Sequence, residues 1–196
     1  MIKLVEREIG GLIRSVIIKL VDKKTGKVVK EIEIDKRYDL GTNNLGRFLK
    51  SLFTEVDEDA KLEADYVNTS GATVTVRTAY STEYTFVYTG YGKLFRKIKV
   101  GDSSVAASRD QYNLQGTILG ESPVIASYSD GSDHVDITGA FSWDTDQTIY
   151  EIGLFFGMSC FDTASVEEIM FDRTVYPDGI SVPAGQVLYI TYRFQI

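Results

Sequence analysis

The chain has 196 residues, a net charge of −7 and 43% hydrophobic residues. That is the profile of a soluble globular protein, long enough for one packed core without disulfide or metal staples. A pI near 4.8 argues against nucleic-acid binding through a broad basic face, because phosphate contacts need clustered Lys and Arg. The single cysteine, Cys160, and the single histidine, His134, exclude an intrachain disulfide, a cysteine-rich metal site and a multi-histidine centre.

Residues 1–11 are too polar for a signal peptide, and Arg14 and Lys19 interrupt the apolar run 12–21, well short of a membrane span. Residues 13–22 and 27–36 read as two strands around a Lys23-Lys24-Thr25-Gly26 turn, an N-terminal β-hairpin. Lys23, Lys24 and Lys27 then crowd its tip. Thr42 or Asn43 can cap a short amphipathic helix over 44–53, where Leu45, Phe48, Leu49, Leu52 and Phe53 form one apolar stripe. Residues 55–65 hold six acidic side chains, among them Glu55, Asp57, Glu58 and Asp59, and one Lys. They read as a solvated connector. Strands at 73–77 and 84–88 are expected to pair with each other, as an edge hairpin or an insertion. Their Tyr-rich face is a surface on which sugar rings can stack, although Tyr in strands more commonly reflects β-propensity.

A strand at 94–100 runs into Gly101-Asp102-Ser103-Ser104, which lacks the lysine and following helix of a phosphate loop. Asp130-Gly131-Ser132-Asp133 marks a turn between strands at 124–129 and 135–143. Asp130, Asp133 and Asp136 lack the spacing of a calcium loop. Residues 148–156, T-I-Y-E-I-G-L-F-F, are the centre of the chain: seven of nine are β-branched, aromatic or Leu, as in a strand buried on both faces. Glu151 within it needs a partner if buried, and Gly153 lacks a side chain to pack. Residues 158–168 read as a loop in which Cys160 is an incidental small hydrophobe. A returning strand at 169–176 with Phe156 near Ile169 would set 151–152 opposite 173–174, making Arg173 the partner of Glu151 in a structural ion pair. The last strand, 186–196, alternates Leu188, Ile190, Tyr192, Phe194 and Ile196 with polar residues.

Nine or ten strands and one helix predict a mainly β chain: an antiparallel β-sandwich, jelly-roll-like, with residues 1–58 packed on or extending from a sandwich domain at 59–196. The order of motifs in the second half adds a resemblance. I-K-V-G-D-S-S-V-A-A-S-R-D-Q-Y-N-L is followed by V-D-I-T-G-A-F-S-W-D-T-D-Q-T-I-Y-E-I-G-L-F-F. Then comes F-D-R-T-V-Y-P-D-G-I-S-V-P-A-G-Q-V-L-Y-I-T-Y-R-F-Q-I. This resembles a group of small β-rich virion structural proteins of tailed phages and related viruses, archaeal ones included. The match covers about half of the chain, mainly 98–114 and 135–196. Gly101-Asp102 stands in place of a fuller Gly-x-Gly turn, and 73–88 looks like an insertion.

The resemblance implies a viral structural protein, made in the host cytoplasm and resident in the virion in a tail, fibre, spike or capsid-decorating position. Its partners would be copies of itself and other virion proteins, with no cofactor, metal, nucleic acid or membrane. The Lys-rich tip at Lys23, Lys24 and Lys27 and the acidic run at Glu55, Asp57, Glu58 and Asp59 are candidate assembly surfaces between copies. A glycan-binding module, facing a host-surface receptor, is the alternative. A glycosidase with paired carboxylates ranks last, since no catalytic motif occurs. Four Asn, five Gln and one Cys fit a thermophilic host, because those side chains are heat-labile.

Overall fold

The computed structural model describes residues 13–36, 42–45, 62–78, 97–159 and 166–195. The chain is mainly β, and every strand pairing is antiparallel. In order, the strands are β1 (Ile13–Asp22), β2 (Val28–Asp35), β3 (Leu62–Val67), β4 (Thr73–Thr78), β5 (Lys97–Gly101), β6 (Ile118–Pro123), β7 (Ile125–Ser127), β8 (His134–Phe141), β9 (Gln147–Ser159), β10 (Val166–Val182) and β11 (Gln186–Gln195). They form a five-stranded sheet in the order β2-β1-β11-β8-β7, a four-stranded sheet in the order β10-β9-β5-β6, and a two-stranded sheet of β3 and β4.

Alternation in the sequence decides which face of each sheet is apolar. Val16, Ile18 and Leu20 of β1 share a face with Leu188, Ile190 and Tyr192 of β11. Ile98 and Val100 of β5 share one with Ile152 and Leu154 of β9. All belong to one buried cluster that draws on both larger sheets. The first described strand lies inside the five-stranded sheet, between β2 and β11, so residues on both sides of position 58 build the same core.

Several expectations change. The acidic stretch 55–65 is not all connector: 62–65 open β3, with Tyr66 buried and Asp65 exposed, a period-two pattern hidden by charge density. β4 pairs with β3, and the expected partner segment 84–88 lies outside the described residues. Both described ends of the expected loop 158–168 are strand, because β9 runs on to Ser159 and β10 begins at Val166, with Glu167 and Glu168 opposite Met158 and Gly157. Ion pairing of Glu168 to Lys97 and Lys99 accommodates its charge in the ladder. β6 was not anticipated, since Gly120, Glu121, Ser122 and Pro123 obscure it; Pro123 is admitted because β6 is an edge strand. Of the expected helix 44–53 only 44 and 45 are described, helical together with the cap candidate Asn43, and the remainder, like Cys160, lies outside.

Candidate functional site

β9 carries its apolar residues Ile152 and Leu154 into the core, which turns Glu151, Gly153 and Phe155 to the opposite face of the four-stranded sheet. There Glu151 is fully buried. Gly101 stands opposite it in β5, and a Cβ at that position would lie 2.5 Å from Glu151 Oε1. The glycine is therefore what makes room for the carboxylate.

Three donors converge on Glu151. The Gln115 amide donates to Oε2 at 3.0 Å and the Gly116 amide to Oε1 at 2.7 Å. Arg173 Nε donates to Oε2 at 2.7 Å. The same guanidinium donates through Nη1 to the Val105 carbonyl and to Gln111 Oε1, each at 2.9 Å. A buried charge is tolerated when its lone pairs and protons are matched in this way. Nη2 is buried without a hydrogen-bond partner among the described residues.

Arg173 reaches Glu151 through a bulge. Ile169 faces Phe156, and an unbroken ladder from there would place Arg173 opposite Ile152, on the core face. The observed pairing instead shifts between Met170 and Asp172, so that Arg173 stands opposite Gly153 and Val175 opposite Glu151. The extra residue is Phe171, which is buried in the core together with Ile169. One inserted residue reverses the face of everything after it. The register expected from the sequence, 151–152 opposite 173–174, is corrected by that one residue.

The ion pair holds the long connection between β5 and β6. Residues 102–117 carry no strand or helix, yet they are tied at several points. Asp102 Oδ1 accepts the Thr117 amide at 2.7 Å, closing the base of the loop. Leu114 tucks beneath it against Phe155 and Met170. A Cβ on Gly153 would come within 2.6 Å of Phe155 and 2.9 Å of Leu114, so this glycine lets the loop lie close to the sheet. Asn43 donates through Nδ2 to Asp110 Oδ1 at 2.7 Å, and Asn113 donates to the Thr69 carbonyl at 3.1 Å. Outward the loop presents Val105, Arg109, Asp110 and Tyr112, all exposed.

Beside this surface Lys97 bridges Glu121 at 2.9 Å and Glu168 at 3.3 Å, while Lys99 pairs with Glu168 and lies 4.6 Å from the Phe155 ring centre. Burial pulls the Lys97 ammonium down, but the hydrogen bond to Glu121 and the charge of Glu168 outweigh it and hold the group above its ordinary value. The hydrogen bond from Lys97 correspondingly lowers Glu121.

The assembly candidates are less informative. Lys23, Lys24 and Lys27 are exposed at the turn between β1 and β2. Glu55, Asp57, Glu58 and Asp59 lie outside the described residues, as do residues 79–96 of the proposed Tyr-rich face. A cleft of ≈ 130 Å³ is lined by Asn43, Asn44, Val67, Arg109, Asp110, Gln111 and Tyr112. It is well below the roughly 300–1,000 Å³ of small-molecule sites. Among the described residues no group of three His, Cys, Asp or Glu is placed to hold a metal, and no helix is long and apolar enough to cross a membrane.

Sequence reading missed the backbone amides of Gln115 and Gly116 as partners of Glu151, and it missed Asp102 as the loop's base. The Gly-Asp-Ser-Ser run was the available signal. Such a run, once rejected as a phosphate loop, still marks a turn whose Asp can accept backbone amides.

The chain matches no protein-family model, no curated protein and no solved structure.

Proposed function

We propose that this chain is a non-enzymatic structural building block of a virion: a β-sandwich, jelly-roll-like, that self-associates or docks on the particle in a tail, fibre, spike or capsid-associated position. The motif order of its second half supports the viral reading. Two sheets around one core, with β1 beside β11, support the sandwich.

The observation that carries the proposal is the fixed loop at 102–117. Connections longer than roughly 12–15 residues without secondary structure are uncommon in compact domains and tend to be functional. Here a buried ion pair, two glycines and an Asp cap hold such a connection in one shape while its outer side stays exposed. A surface ordered before contact loses little entropy on docking, which suits a permanent assembly. Val105 and Tyr112, 59% and 41% exposed, supply apolar and aromatic contact area to a neighbouring protein.

Light scattering of the full-length chain over a wide concentration range, with and without partner virion proteins, tests this. Discrete oligomers or particle incorporation are expected, weakened at least tenfold in the Val105→Asp/Tyr112→Ala double variant without a change in melting temperature. A chain that stays monomeric and joins no particle, or that binds a defined oligosaccharide on a glycan array through this loop, would replace the proposal with the glycan-binding alternative.

A further inference from the structure

Lys36 and Asp172 form a second buried charge pair, on the other face of the four-stranded sheet and independent of the loop. Lys36 follows the last residue of β2, an edge of the five-stranded sheet, and its amide is fixed by the Arg14 carbonyl at 2.8 Å. Asp172 sits in β10, an edge of the four-stranded sheet, opposite Leu154 and therefore on the core side. The two side chains are 5% and 0% exposed, with Lys36 Nζ 3.1 Å from Asp172 Oδ1. Thr174 Oγ1 donates to the other oxygen, Oδ2, at 2.9 Å. Among the described residues Oδ1 accepts no hydrogen bond of good geometry, so charge alone joins it to the ammonium.

We infer that Lys36 and Asp172 condense to an intramolecular isopeptide bond that joins the edges of the two sheets. The step starts when one ammonium proton passes to the carboxylate, which leaves a neutral amine beside a neutral acid. The Nζ lone pair attacks Cγ, the carbon that carries Oδ1, from a resting Nζ–Oδ1 separation of 3.1 Å. The Thr174 hydroxyl stabilises the charge that develops on Oδ2. Oδ1 departs as water, carrying the acid proton and one amine proton; the Nζ–Cγ amide remains, and nothing is oxidised or reduced. Condensation in bulk water runs against the solvent's own concentration, but groups held in this geometry have effective molarities of about 10⁵–10⁸ M, which exceed it. The product exchanges two buried charges for one neutral amide and closes the fold covalently between sheets, a feature suited to a particle component under load.

Mass spectrometry of the denatured full-length protein, followed by tryptic mapping, decides. The bond predicts an intact mass one water below that of the sequence and a branched peptide joining the Lys36 and Asp172 segments. Lys36→Arg should restore the full mass and abolish the branched peptide. A wild-type chain at full mass, with the two residues in separate peptides, overturns the inference. So does a water loss without a branched peptide, as a succinimide would give.

Discussion

Glu151 and Asp136 show two ways in which one carboxylate is held. Glu151 has no exposure and takes its partners from the backbone as well as from Arg173. Asp136 is half-buried and receives both Nε and Nη2 of Arg193, at 2.8 and 2.7 Å. These hydrogen bonds hold the Asp136 carboxyl below the usual aspartate range, and Arg193 is raised in turn by the same contact. A carboxylate whose folded value is depressed contributes stability that is complete above its unfolded value, about 3.9 for Asp. The contribution disappears as pH falls through the lower folded value. Glu121, lowered by Lys97, acts in the same direction. Unfolding midpoints measured from pH 7 to pH 2 should therefore fall below about pH 4. Asp136→Asn should remove part of that fall while lowering the stability at pH 7 by about 1 kcal/mol or less. An Asp136→Asn profile parallel to wild type across the whole range would show that this pair contributes nothing to the acid limb.

At the scale of the element, much of β9 was legible because its composition permits little else. A run of β-branched and aromatic residues can be satisfied only inside a sheet, and a Glu in such a run calls for a cation nearby. Arg173 was the right residue reached by the wrong register. Periodicity counts residues two by two and cannot reveal that Phe171 and Asp172 both point to the core. β3 was hidden for the opposite reason: its alternation is real, but it sits in a stretch dense with acids. The two amides on Glu151 come from a chain segment distant in sequence, and no local pattern records them. Gly153 was legible as an anomaly, and the structure supplies its cause in the approach of Leu114 and Phe155. Gly153→Ala should accordingly push the loop off the sheet and destabilise the fold by about 1–3 kcal/mol, read as a lower urea midpoint with an unchanged slope. Gly26, by contrast, has open space around it. Its φ of +67° strains an Ala there for a separate reason, whereas Gly153 has no positive φ, so an unchanged urea midpoint in Gly153→Ala would remove the close approach of the loop as the cause.

Across the whole molecule, the sheets are finished differently at their edges. The outer edge of β10 is sealed by backbone contacts, with the amide of Thr42 on the Phe171 carbonyl and that of Thr69 on the Glu168 carbonyl. β2 carries a bulge next to Val28 and a row of charges including Lys30, Glu31 and Glu33, and β7 spans only Ile125–Ser127. Bulged, charged and short edges discourage pairing with another chain. Edges of this kind fit the proposed docking through the loop better than docking through a strand edge. The pattern of strands and turns reached the mainly β class of the fold, and the order of motifs suggested a viral particle; the loop at 102–117 as the proposed docking surface came from the geometry alone.

Whether Glu151 holds that loop is tested most directly by amide hydrogen exchange on the full-length protein and its Glu151→Gln variant. Gln115 and Gly116 should be protected in the wild type and exchange at least tenfold faster in the variant, while Ile18 and Ile190 in the paired strands β1 and β11 keep their protection. Equal protection of Gln115 and Gly116 in the two proteins would contradict the account.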